Sequence, residues 1–142
     1  MEVTLAVAAL NASSDANNRT NITGVFTDVH PPVMPCRMSN FCLVIFFEAH
    51  SAEIGHPRTI QVHLLDADGN RTLSFDETIV VPPPQREGSR PSFNKVFFLQ
   101  SVLFTSTGNH EFAILVDGDY KRSVQIYVNE PPTEGAVDEE SA

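Results

Sequence analysis

Four oxygen-bearing side chains in the stretch LLDADGNRTLSFDE have the spacing of a calcium loop. Asp66, Asp68, Asn70 and Glu77 stand at its first, third, fifth and twelfth positions, and Leu73 falls where such loops carry an apolar residue. That chemistry needs the chain to curl round the ion, and a following helix to bring the twelfth residue back as a bidentate ligand. Here the sixth position, which wants glycine, is Arg71, and TLSFDETIVVPPP alternates like a strand and ends in prolines. Seven extended steps of roughly 3.3 Å carry Glu77 about 23 Å from Asn70, out of reach of any shared ion. The match reads instead as two strands joined by a polar turn, with Asp68-Gly69 as its hairpin signal. A shallow loop calcium on Asp66, Asp68 and Asn70 alone stays open as an alternative.

The other groups able to do chemistry are scattered. His30, His50, His56, His63 and His110 show no metal-ligand spacing on one element and read as surface or rim residues. Cys36 and Cys42 match neither a zinc pattern nor a redox pair. Cys42, inside the apolar run NFCLVIFFEA, reads as a small core residue; a disulfide to Cys36 is geometrically conceivable but at odds with a reducing compartment. The sequons at Asn11, Asn18, Asn21 and Asn70 matter only after secretion. No serine stands in a nucleophile elbow and no glycine-rich loop cradles phosphate, while Asp76-Glu77 and Asp117/Asp119 suit a solvated face. The expectation is a protein that is not an enzyme, with no catalytic residue, metal or cofactor.

Composition narrows the class. The 142 residues suit one domain able to bury its own core. No run approaches the ~18 apolar residues of a membrane helix. The opening MEVTLAVAALNASS lacks a leading Lys or Arg, and its alternating Val3, Leu5, Val7 and Ala9 read as a first strand rather than a secretory signal. A cytoplasmic protein is expected. Net charge is −9, of which five acids without a base fall in Glu130–Ala142, leaving −4 for residues 1–129. Residues 1–129 are expected to fold and 130–142 to form a disordered acidic tail. Neither part has a basic stripe, which argues against nucleic acid.

Strand signals recur with turn chemistry between them. TNITGVFTDV is β-branched throughout, with Gly24 marking a bulge or close approach, and HPPVMPCRMS carries too many prolines for a helix or central strand. NFCLVIFFEA is apolar on both alternating faces; RTIQVHLLDA puts Ile60, Val62 and Leu64 on one. RTLSFDETIVV leads into the Pro-rich loop PPPQREGSRPS. NKVFFLQSVLF pairs Val96 and Phe98 with Val102 and Phe104, with an irregularity near Ser101, and HEFAILVDGDYKRSVQIYV reads as a hairpin turning at Asp117-Gly118. No segment has a sustained helical period, so the fold expected is all-β, a single antiparallel sandwich of seven to eight strands. A closed barrel is the competitor.

The order ITGVFTDVHPPVMP, an apolar strand, IQVHLLDADGN and then GNHEFAILVDGD resembles a family of small bacterial proteins known as a domain of unknown function. The resemblance implies an immunoglobulin-like sandwich over most of residues 2–128 and brings no activity or site residues. The expected role is a non-catalytic protein-binding or scaffolding module. Its partner would be an unidentified protein or a second copy joined through an edge strand, with neither nucleic acid nor membrane involved. HPPVMPCRMS, with Val33 and Met34, and PPPQREGSRPS, with Arg86 and Arg90, are the candidate binding loops. The alternative is a small-ligand or carbohydrate binder with an optional loop calcium, using Tyr120 and Tyr127 as an aromatic platform.

Overall fold

Strands with apolar side chains at every second position must cover one face, and here two sheets cover each other. The computed structural model describes residues 1–17 and 19–132. In chain order the strands are β1 (Glu2–Ser14), β2 (Thr20–Phe26), β3 (Asp28–Val29), β4 (Cys36–Glu48), β5 (Pro57–Leu65), β6 (Arg71–Val80), β7 (Ser92–Phe104), β8 (Gly108–Val116) and β9 (Asp119–Val128). A single 3-10 turn, Ser51–Glu53, separates β4 from β5.

One sheet has the order β2-β1-β4-β7 and the other β3-β9-β8-β5-β6. Neighbouring strands within each sheet are antiparallel except where β3 meets β9. Two separate sheets exclude the barrel. The strand count among the described residues is nine, above the seven or eight expected, and the short β3 pairs with β9 in parallel. The acidic segment from residue 133 onward lies outside the described residues.

The main core lies between the sheets, where Phe41, Leu43, Ile45 and Phe47 of β4 meet β5 and β8. Phe41 and Phe112 touch across it with ring centroids 6.2 Å apart. The expected face of β5 is in place, with Ile60, Val62 and Leu64 at most 1% exposed. The β8–β9 hairpin turns at Asp117 and Gly118, both at positive φ (50° and 86°), as an Asp-Gly turn of this kind requires.

Three local expectations need correction. HPPVMPCRMS is not loop throughout: after Pro35, its last proline, Cys36–Ser39 regain their N–H donors and pair with Ser101–Phe104 of β7. The irregularity expected near Ser101 is present: Gln100 and Ser101 are both exposed, and the core-facing positions of β7 pass from Phe97 and Leu99 to Val102 and Phe104, at the level where Asn40 of β4 takes φ 49°. Phe97 and Leu99, not Val96 and Phe98, face the main core; Phe98 is 64% exposed. In β1 a register shift between Val3 and Leu5 breaks the simple alternation, so Val3, Ala6 and Ala8 turn inward instead.

β4 is buried on both faces, as its sequence demands, and the reason is a folded-back arm. β1 pairs with β4 only as far as Ala9, then continues with β2 as a two-stranded hairpin. This hairpin crosses the outer face of its own sheet. Ala12 and Ile22 pack with Ala9, Cys42, Val44 and Val96 in a second small core, and Asn94 of β7 donates to Thr20 Oγ1 at 2.6 Å. Alanines and a cysteine leave room for the arm to lie close. The bend falls at Gly24, φ 70°, where a Cβ would stand 2.8 Å from Leu10 Cδ1. Glycine is needed there for both its backbone freedom and its missing side chain.

Candidate functional site

The polar loop Asp66–Asn70 is a built turn. One carboxylate oxygen of Asp66 accepts the N–H of Asp68 at 3.0 Å and of Asn70 at 2.9 Å, and the Asp66 N–H donates to the Asn70 carbonyl. Gly69 alone has positive φ, so Asp68-Gly69 is not the two-residue hairpin turn expected. The tip of the arm repeats the device: Asp15 accepts from the N–H of Asn17 and of Arg19, both at 2.9 Å. In both loops aspartate holds backbone donors that would otherwise need water. Glu77 lies in β6 opposite Ile60 and forms an ion pair with Lys95 of β7. Among the described residues no three His, Cys, Asp or Glu are grouped as a metal site.

The remaining candidates fall apart in space. Cys36 and Cys42 are both on β4, six steps or roughly 20 Å apart, far beyond the ~7 Å Cα separation a disulfide tolerates. Both are free; Cys36 is half-buried, Cys42 is 1% exposed, and burial raises both thiol pKa values. His63 faces outward and its Nδ1 bonds Ser74 at 2.7 Å. His110 is no surface residue: it is 2% exposed, edge-on to Phe104, with Nδ1 3.1 Å from the Gly108 carbonyl oxygen. Tyr120 and Tyr127 are exposed near opposite ends of β9, roughly 20 Å apart, and build no joint platform.

A network missed by the sequence reading centres on Glu53. Its carboxylate receives the Met1 ammonium at 3.0 Å, the His50 N–H at 2.7 Å and Arg58 Nε at 3.1 Å. Burial alone would raise its pKa, but these three donors outweigh it and hold the group down to about 2. Arg58 also faces Asp117 at 3.6 Å, linking the 3-10 turn to the β8–β9 hairpin. An isolated Glu among polar residues gives no signal of this; only the fold brings residues 1, 53, 58 and 117 together.

Two concavities among the described residues are each walled by one of the Pro-rich loops. An apolar groove of about 440 Å³ runs between the base of the arm, with Leu10, Gly24 and Val25, and Pro31, Pro32 and Met38 after β3. Leu10 and Val25 are each 56% exposed at its edge. A larger, more polar trough of about 1330 Å³ lies under the arm's tip, with Arg19, Phe46, Arg86, Arg90, Phe93 and Asn94 among its walls. The family of unknown function DUF6941 matches residues 4–129. The chain belongs to this family. No curated protein and no solved structure matches the chain. The matched span in this DUF6941 member takes in all nine strands apart from the first two residues of β1, and so includes the arm and both concavities. Among the described residues no helix is long and apolar enough to cross a membrane.

Proposed function

We propose that this DUF6941 protein is a non-catalytic protein-binding module and that an apolar segment of its partner lies in the groove at the base of the arm. The observation carrying this reading is the exposure of Leu10 and Val25 beside a concavity lined in part by Pro31, Pro32 and Met38. Isolated exposed apolar residues are ordinary on a surface, but a contiguous set rimming a groove suits a partner's side chains. Methionine adds a surface that adapts to what it meets, and Met38 stands at the groove wall. In this reading the chain works in the cytoplasm with both thiols reduced, apart from nucleic acid and membrane.

Self-association through the β6 and β7 edges is the less favoured route. By strand alternation Glu77 and Lys95 point inward from these two neighbouring edges, a charged device that discourages an added strand. The test is affinity capture from native lysate with wild type and Val25→Glu, both checked for folding by circular dichroism. A protein retained near stoichiometrically by wild type and lost with Val25→Glu supports the reading. Retention unaffected by the substitution contradicts the groove, and background binding alone contradicts a stable protein partner.

A further inference from the structure

One stretch of β4, a central strand, lacks a neighbour on one side. β4 pairs with β7 from Cys36 to Glu48, interrupted only at Asn40, whereas β1 meets it only from Cys42 onward. Past Ala9 the arm bends away over the outer face, so the edge that β1 would otherwise cover is open over Cys36–Phe41. In an antiparallel ladder alternate residues turn their N–H and C=O to opposite sides of the strand. Half of the open stretch therefore directs its backbone donors and acceptors away from β7. None of the backbone hydrogen bonds outside the strand ladders among the described residues involves them.

That open edge is a wall of the apolar groove. Cys36, Arg37 and Met38 all line it, although Cys36 and Met38 pack toward the main core and Arg37 is exposed on the other face. Residues of both faces line one groove only where the groove follows the edge of the strand. Leu10, the first residue of β1 past its last pair with β4, stands on the arm's side with Gly24 and Val25.

We infer that the groove takes an extended segment of another protein, which adds as a strand to the open edge of β4. This rests on the protein-binding reading of the groove and specifies its partner. Cys36–Ser39 offer a regular edge for a segment about four residues long, whose main chain supplies affinity and whose alternate side chains supply specificity. Apolar side chains at alternate positions meet Leu10, Val25 and Met38. Asp28 and Arg37 also line the groove, and neither belongs to an ion pair among the described residues. A segment carrying an acid and a base beside its apolar positions complements them. A second copy is a poorer occupant. Its described strands are all paired within its own sheets, and a sheet edge brings its neighbouring strands with it. A groove of about 440 Å³ between the arm and a Pro-rich loop has no room for those neighbours.

The test selects binders of the full chain from a displayed library of random short peptides, then measures the enriched peptides as synthetic compounds. The expected peptides alternate apolar residues, lose binding to Val25→Glu and slow amide exchange at alternate positions of Cys36–Ser39. Methylating one alternate set of their backbone nitrogens should weaken binding about tenfold or more, while methylating the other set is tolerated. Selection against Arg37→Glu should exchange the acid of the enriched peptides for a base. Peptides that lose binding to Val25→Glu, yet tolerate methylation at every position and protect none of these amides, overturn the added strand and leave the groove reading intact. Enriched peptides indifferent to Val25→Glu, or none at all, overturn both. Protection of Cys36–Ser39 that grows with protein concentration in the absence of peptide makes a second copy the occupant and also overturns the inference.

Discussion

The apolar groove and the arginine trough are walled by the same β1–β2 hairpin, one at its base and the other at its tip. At the base the arm contributes Leu10, Gly24 and Val25; at the tip it contributes Ser14, Arg19 and Thr20. Each concavity is then completed by a different Pro-rich loop. One hairpin therefore presents two chemistries because its pattern changes along its length, while its underside keeps a single job. That underside is the contact of Ala12 and Ile22 with Cys42, Val44 and Val96. The lesson is that the arm's seat is common to both regions and everything else is separable.

The seat gives the largest expected effect. Ala12→Asp would place an unpaired charge at a position 5% exposed, at a cost of roughly 3–5 kcal/mol if the arm stays down. Lifting the arm relieves that cost, so the outcome expected is a lower Tm together with perturbed amides at both Val25 and Arg86. If only one region responds, the shared seat is wrong.

Glu53 serves as the contrast, because it lies outside both concavities. Its folded pKa of about 2 is below the ordinary 4.5, so its stabilisation is present above about pH 4.5 and is lost as pH falls toward 2. The gap in denaturant stability between wild type and Glu53→Gln should be on the order of 1–2 kcal/mol at pH 6, after solvent screening, and should close toward pH 2. Amides of the groove and trough should not move with it.

Gly24→Ala separates base from tip. Positive φ and the 2.8 Å approach to Leu10 together predict a loss of about 1–2 kcal/mol by chemical denaturation, with the groove disturbed more than the trough. The smallest effect sharpens the comparison most. Asp15→Ala and Asp66→Ala each remove a carboxylate that caps two N–H groups, at about 1 kcal/mol. Only Asp15→Ala should alter the trough, because Asp15 also positions Arg19; equal trough shifts from both would show a global response instead.

Much of the sandwich was legible in the sequence because period-two alternation and turn residues report local geometry. Ile60, Val62 and Leu64 declared their face, and NFCLVIFFEA declared a strand covered on both sides. What covers the second face was not legible, since Ala12 and Ile22 are ordinary strand residues until the hairpin folds over. The parallel β3–β9 pair was hidden for a related reason: two residues carry no periodicity. The two Pro-rich loops stood out by composition, and the structure places each at a concavity. The polarity of each concavity, however, depends on which residues of the distant arm meet the loop. The Asp66 turn misled for the opposite reason, because metal ligands and turn caps use the same side chains.

The arm's seat is tested most directly by thiol labelling of the native chain with mapping of the modified residues. Cys42 is 1% exposed beneath the arm, whereas Cys36 is half-buried at the edge of the groove. The account expects Cys36 to react first, Cys42 to react only as fast as the arm opens, and Ala12→Asp to speed Cys42 selectively. Equal rates for the two thiols in the wild-type chain would contradict it.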